Sequence, residues 1–217
     1  MNFCELDKKY IDLLRNQSRV LKEVYVRSSK SGDLDLESLD LSNFIIQRMK
    51  SYYELQDSIK TLLNKKYSAP GADFFVESVV WAINMGLIHS GSQLKIHSEE
   101  NIIKGKKGIR PDISVWNKDE LLSIIECKTQ LGWNRVGWKK DFRERVKKLR
   151  ESHPKAKAYL LVMTGNNWEG FSKKEANKNN YYCLLKDKWP TQVGGELGFE
   201  EIFTPIEKLI KDLLKQG

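Results

Sequence analysis

Two short groups of residues have the side-chain types needed for metal-assisted chemistry on a phosphate. They are Pro111-Asp112 and Glu126-Cys127-Lys128, with thirteen residues between Asp112 and Glu126. Mg²⁺ prefers hard oxygen ligands, accepts one or two carboxylates, and keeps waters that a substrate phosphate can replace. Lys128 could donate to a phosphate oxygen or to the attacking water. The pattern therefore predicts a Mg²⁺ site formed by Asp112 and Glu126, with Lys128 beside it.

These groups fall on predicted strands. Apolar alternation predicts strands over 93–97, 109–116 and 121–128. Side chains alternate across a strand, so Glu126 and Lys128 share one face while Cys127 points to the other. An acid and a base at the end of an otherwise apolar strand are costly to bury unless they have a use.

The hairpin between the last two strands must satisfy a register condition. Asp112 lies beside Glu126 only if directly opposite residues have numbers with an even sum. A two-residue turn at Lys118 and Asp119 gives an odd sum and sends Asp112 to the wrong face. We therefore predict either an odd-length loop around 118–120 or a β-bulge near Pro111, which cannot donate to the ladder.

The remaining periodicity completes an α/β chain. Helices are predicted over 6–25 and 41–62, from Pro70 to near Gly86, over 138–152, and after Pro205. Buried strands are predicted over 158–163 and 181–185. We expect a helical appendage over 1–67, serving dimerisation or DNA contact, and a catalytic domain over 68–217.

The third helix is apolar on nearly all sides but contains Glu77. A buried carboxylate is costly unless it is paired or bound to a metal. Glu77 is therefore either part of the site or a solvated residue at the rim of the helix.

The net charge of +8 comes from one segment. Residues 128–157 contain eleven Lys or Arg against three acids, and the other 187 residues contain 26 of each sign. The solvent-exposed face of a helix would explain the basic residues of 128–157 by themselves. A second basic cluster lies in a glycine-containing loop, so a phosphate-binding surface is the better interpretation. Its candidate residues are Lys104, Lys106, Lys107 and Arg110 in the loop, and Arg135, Lys139, Lys140 and Arg143 in the segment.

With Pro111-Asp112 and Glu126-Cys127-Lys128, the sequence resembles the PD-(D/E)xK nuclease superfamily, which contains many type II restriction endonucleases. The resemblance covers 70 to about 164 and implies a core of helix, three strands, helix and strand around a mixed central sheet. It implies that Asp112, Glu126 and the carbonyl of Cys127 bind Mg²⁺, with Mn²⁺ as a substitute, and that Lys128 positions water. Glu77 matches an acid that contacts the metal through water, and Gln130 matches a polar residue after the motif.

The function expected from these residues is Mg²⁺-dependent hydrolysis of double-stranded DNA, most closely by a type II restriction endonuclease acting as a homodimer. A repair or junction-resolving nuclease and a non-cleaving DNA-binding module are the alternatives. The candidates for base reading are Trp133, Asn134, Arg135 and Trp138 after the motif, and Asn166, Asn167 and Trp168 after the predicted strand over 158–163. The other interpretation of these residues is packing and turn formation.

Composition sets the class of protein. Apolar residues make up 40% and charged residues 30% of 217, a globular balance. The longest apolar run, 158–163, has six residues, against the roughly 20 that a membrane helix needs. The N-terminus resembles no export signal, and Cys4, Cys127 and Cys183 show no disulfide or zinc spacing. We therefore expect a cytoplasmic protein without a membrane partner.

Overall fold

In a computed structural model of the chain, residues 2, 5, 7–32, 34–103, 108–131, 137–166, 180–195 and 197–217 are described. They form two compact units, Met1–Leu34 and Asp35–Gly217. The first unit contains one amphipathic helix, α1 (Lys8–Ser28), in which Arg19 pairs with Glu23 one turn later at 2.9 Å. No helix in the described part of the chain combines the length and the apolar character needed to cross a membrane.

The second unit alternates helices and strands. In chain order its elements are α2 (Asp40–Leu62), α3 (Ala72–His89), β1 (Lys95–Ser98), β2 (Ile113–Asn117), β3 (Glu120–Lys128), α4 (Trp138–Ser152), β4 (Lys157–Thr164), β5 (Tyr181–Leu185) and α5 (Ile206–Leu214). This confirms the predicted α/β class. The strand predicted over 109–116 begins only at Ile113, because Pro111 has no N–H to donate, and Ile109 instead bridges Ile103.

The five strands form one mixed sheet in the order β1-β2-β3-β4-β5. The two hairpin pairs, β1–β2 and β2–β3, are antiparallel, while β3–β4 and β4–β5 are parallel. Parallel neighbours need a crossover, and α4 provides it between β3 and β4. This arrangement places α4 over the strand that carries Glu126 and Lys128.

The two faces of the sheet are covered by different helices. On one face, apolar residues of β3 and β4 pack with buried side chains of α4, among them Ile124, Leu160, Val162, Trp138, Phe142 and Leu149. On the other face, Tyr182 donates to Asp212 of α5 at 2.6 Å. Glu126 is the register partner of Leu160, so its side chain faces α4.

A β-bulge changes the register within the β2–β3 hairpin. The turn is Lys118-Asp119, with Lys118 in the left-handed region at φ 53°. Next to the turn, Trp116 opposes Leu121, and beyond it Val115 opposes Ser123. Leu122 is therefore the extra residue, and the sum of opposite numbers changes from odd to even.

The bulge is one of the two solutions predicted from the sequence, but its predicted position near Pro111 is wrong. Pro111 lies before β2 and outside the ladder, where a bulge has no strand to shift. The observed bulge lies next to the turn, and from Val115 back to Ile113 the even sum is kept. Asp112, the next residue back, is therefore on the face of Glu126.

The predicted division after residue 67 falls inside the second unit, because α2 is packed into it. Ile45, Ile46 and Met49 of α2 are fully buried. The buried carboxylate of Glu207 on α5 accepts hydrogen bonds from the backbone N–H and the hydroxyl of Ser42, at 2.9 and 2.6 Å. The Ser42 hydroxyl in turn accepts from the N–H of Ile206 at 2.9 Å. These bonds satisfy N–H groups in the first turns of both helices.

Candidate active site

Asp112 directly precedes β2, and both its backbone and its side chain are held. Its carbonyl accepts hydrogen bonds from the N–H of Glu99 and the hydroxyl of Ser98, each at 3.1 Å. Its carboxylate accepts from the N–H of Cys127 at 2.7 Å, and the same oxygen lies 3.5 Å from Nζ of Lys128. The end of β1 and the motif on β3 thus fix Asp112 from two sides.

Glu126 is buried beneath α4, with its side chain 6% exposed. Its Oε2 forms an ion pair with Nη1 of Arg145, and its Oε1 has no hydrogen-bond partner among the described residues. Burial raises the pKa of Glu126 to about 7, and the charge of Asp112 adds to this rise while Arg145 and Lys128 oppose it. A carboxylate with one paired and one unpaired oxygen can accept a further cation.

Lys128 lines an open pocket together with Glu126. Its side chain is 37% exposed and contacts Asp112. The pocket has a volume of about 300 Å³ and is lined by Glu126, Lys128, Leu131, Trp138, Asp141, Phe142, Arg145 and Leu160. Charged groups therefore line one part of this pocket and apolar side chains the rest.

Cys127 contributes its backbone on this side and its side chain on the other. The thiol is buried in the opposite face, and burial raises its pKa well above the ordinary value. The N–H and C=O of one strand residue point to the same side of the strand. Because the N–H of Cys127 points to Asp112, its carbonyl points to that side too.

These groups fit a hydrated Mg²⁺ ion. The described residues contain no group of three or more His, Cys, Asp or Glu side chains placed to hold a metal ion. Mg²⁺ does not require such a group, since one or two carboxylates with several waters are its usual protein ligands. Asp112, the unpaired oxygen of Glu126 and the carbonyl of Cys127 are oxygen donors of this type.

Glu77 lies elsewhere. It is exposed on α3 and pairs with Arg48 of α2 at 2.6 Å. The guanidinium of Arg48 also lies 5.0 to 5.3 Å from three ring centroids, those of Phe44, Phe74 and Trp81. No contact within the described part of the chain joins Glu77 to Asp112 or Glu126, so the geometry matches the rim position weighed from the sequence.

The predicted DNA contacts are described only in part. Lys104, Lys106, Lys107, Asn134 and Arg135 lie outside the described residues. Arg110, Gln130, Lys140 and Arg143 are exposed, and Lys139 is half-buried, with its Nζ 5.5 Å from the centroid of the Trp138 ring. Arg143 also lines a second groove beside Lys147 and Arg150. Trp138 itself is buried against Tyr181, which matches the packing interpretation weighed from the sequence. The candidates Trp133, Asn167 and Trp168 lie outside the described residues.

Two residues of the pocket, Arg145 and Asp141, were not among the predicted site residues. The signal that could have identified them is spacing: Trp138, Asp141, Phe142 and Arg145 recur at intervals of three and four, on one face of α4. Trp138 and Phe142 are buried on this face of α4. Asp141 and Arg145 lie on the same face and line the pocket.

The chain was compared with protein-family models, with curated proteins and with solved structures, and none of them matches it.

Proposed function

We propose that the chain is a Mg²⁺-dependent endonuclease that hydrolyses phosphodiester bonds in double-stranded DNA. Within that class it is most like a type II restriction endonuclease of the PD-(D/E)xK superfamily. The observation that carries the proposal is the β-bulge at Leu122, which places Asp112 on the face of Glu126 and Lys128. β-Bulges are over-represented next to active sites, where they redirect a side chain.

The proposal gives the acidic residues and Lys128 separate roles. Asp112, Glu126 and the carbonyl of Cys127 would hold the cation, for which Mn²⁺ would substitute. The chemistry that a bound Mg²⁺ would supply is stabilisation of charge on the phosphoryl oxygens and activation of water. Lys128, whose ammonium group lies 3.5 Å from Asp112 and whose side chain lines the pocket, would donate to the attacking water or to a phosphate oxygen.

The surface around the pocket suits a DNA backbone. Exposed bases on α4 follow the strand that carries the motif, and Arg110 and Gln130 are exposed near its two carboxylates along the chain. Phosphate contacts of this kind position a duplex without reading its sequence. Action on a palindromic site in the cytoplasm by a homodimer belongs to the same proposal.

One observation favours the non-cleaving alternative. The guanidinium of Arg145 already neutralises Glu126, as would be expected in a domain that binds DNA without a metal. A structure-specific repair or junction-resolving nuclease has the same chemistry as the leading proposal and differs only in its substrate.

Incubation of the purified protein with plasmid DNA and Mg²⁺, Mn²⁺ or EDTA tests these proposals. Discrete fragments whose sequenced ends share a short site support a restriction endonuclease. Cutting confined to branched or damaged DNA supports the repair or junction-resolving class. DNA that is shifted on a gel but remains uncut with both cations contradicts the nuclease proposal and favours the binding module.

A further inference from the structure

The ion pair between Arg145 and Glu126 is unevenly buried. The Glu126 side chain is 6% exposed and the Arg145 side chain is 33% exposed. Only one carboxylate oxygen is paired, and Oε1 has no partner among the described residues. Glu126 and Arg145 thus form their ion pair at the wall of an open pocket of about 300 Å³ that both residues line.

The helix that carries Arg145 is anchored by buried residues, whereas the Arg145 side chain is partly exposed. Trp138 and Phe142 are buried, and their rings meet Tyr181 edge to face with centroids 5.5 and 5.6 Å apart. Leu149, one turn beyond Arg145, is fully buried. A long side chain on such a support can change partners by rotating its own bonds, without moving the backbone.

We infer that Arg145 is a phosphate-binding residue that changes partner during the reaction cycle. This inference rests on the proposed function. Without a cation, Arg145 neutralises the buried Glu126. When a divalent cation occupies the carboxylates, Arg145 turns to the phosphate beside it in the pocket.

The physical reason is charge balance. A guanidinium and a divalent cation on one carboxylate repel each other, while a phosphate offers Arg145 the bidentate geometry that its planar fork matches. Lys128 lacks this bidentate geometry, because an ammonium group binds phosphate as a point charge. The exchange therefore couples cation binding to phosphate binding.

The test separates these two events in Arg145→Gln and Arg145→Lys. Mn²⁺ binding without DNA is measured by calorimetry, and binding of a short duplex is measured by fluorescence anisotropy with and without Ca²⁺, which serves as a cation for binding. In Arg145→Gln, Mn²⁺ should bind about tenfold more tightly than in the wild type, because the competing cation is gone. Ca²⁺ should also raise the DNA affinity of Arg145→Gln by about tenfold less than it raises that of the wild type. This difference corresponds to the loss of one charge-assisted hydrogen-bonded pair.

Lys215→Gln is the matched control, since it removes one positive charge from an exposed residue of the C-terminus. It should change neither quantity. Weaker Mn²⁺ binding in Arg145→Gln, or an undiminished Ca²⁺ effect on DNA affinity, would overturn the inference and make Arg145 a structural partner of Glu126.

Arg145→Lys keeps a positive charge beside Glu126. If Arg145→Gln fails to fold, Arg145→Lys tests the inference in its place. It should keep wild-type Mn²⁺ affinity and lose part of the Ca²⁺ effect, and a full wild-type Ca²⁺ effect would contradict the inference. None of these readouts requires cleavage. If the wild type binds Mn²⁺ and DNA but leaves every DNA uncut, the proposed nuclease activity fails while the Arg145 exchange is still judged on binding.

Discussion

The carboxylate of Asp112 accepts a hydrogen bond from the backbone N–H of Cys127 at 2.7 Å. This bond crosses the hairpin just beyond the last register pair, Ile113 with Ile125. It exists because Leu122 is accommodated as an extra residue next to the turn. Without that bulge, a two-residue turn would leave Asp112 facing the apolar side of the sheet, where Cys127 has its thiol.

Substitution of Asp112 should separate metal binding from stability. Asp112→Ala leaves the buried N–H of Cys127 without a partner and should lower the free energy of unfolding by roughly 1–3 kcal/mol. Asp112→Asn keeps an acceptor and should cost less. Both should abolish Mn²⁺ binding and cleavage, and the alanine variant should keep or increase its DNA affinity because a negative charge near phosphate is removed. Equal unfolding free energies in urea for the two variants would show that the bond to Cys127 contributes nothing.

Glu126 should make stability depend on pH. Its pKa is raised from 4.5 to about 7 in the folded protein, so between these values the folded state binds a proton that the unfolded state does not. The free energy of unfolding should therefore fall as pH rises through this window, by on the order of 3 kcal/mol for this group. Glu126→Gln should lack this decrease. The measurement is urea unfolding of both proteins at several pH values, and parallel stability curves would contradict the raised pKa.

Ser42 should contribute more to the stability of the second unit than an exposed serine does. Its hydroxyl and N–H hold the buried carboxylate of Glu207, and its hydroxyl also accepts from Ile206. Ser42→Ala should lower the free energy of unfolding by about 2–3 kcal/mol, because a buried charge loses its closest donor. Ser58→Ala on the same helix is the control. Ser58 is exposed and donates only to the carbonyl of Glu54, so its loss should cost under about 0.5 kcal/mol.

The exposed bases of α4 should set the salt dependence of DNA binding. If Lys139, Lys140 and Arg143 contact phosphates, their joint replacement by Gln should reduce the slope of log affinity against log salt by about 2 to 3. Replacement of Lys65, Lys66 and Lys208, which are exposed elsewhere, removes the same charge and should leave the slope nearly unchanged. Equal slopes in the two triple variants, measured by anisotropy titration, would argue against a phosphate track along α4.

Local spacing in the sequence determined most of the elements and the composition of the candidate site. Apolar residues at intervals of two or of three and four predict each strand and helix because side-chain direction follows backbone geometry. Alternation along β3 likewise places Glu126 and Lys128 on one face and Cys127 on the other. Asp112 and Glu126 can share a face only if the hairpin contains a bulge or an odd-length loop, since a shift of one residue moves every side chain to the other face.

The tertiary structure decided which distant residues meet. The bulge is at Leu122, beside the turn and inside the ladder, whereas Pro111 lies before the ladder begins. Glu77 pairs with Arg48, and Glu126 pairs with Arg145; the spacing along α4 shows which face carries Arg145, but it does not show that this face meets Glu126. Residue spacing describes the faces of one element, whereas an ion pair between elements depends on how the helices cross the sheet and how far each side chain reaches.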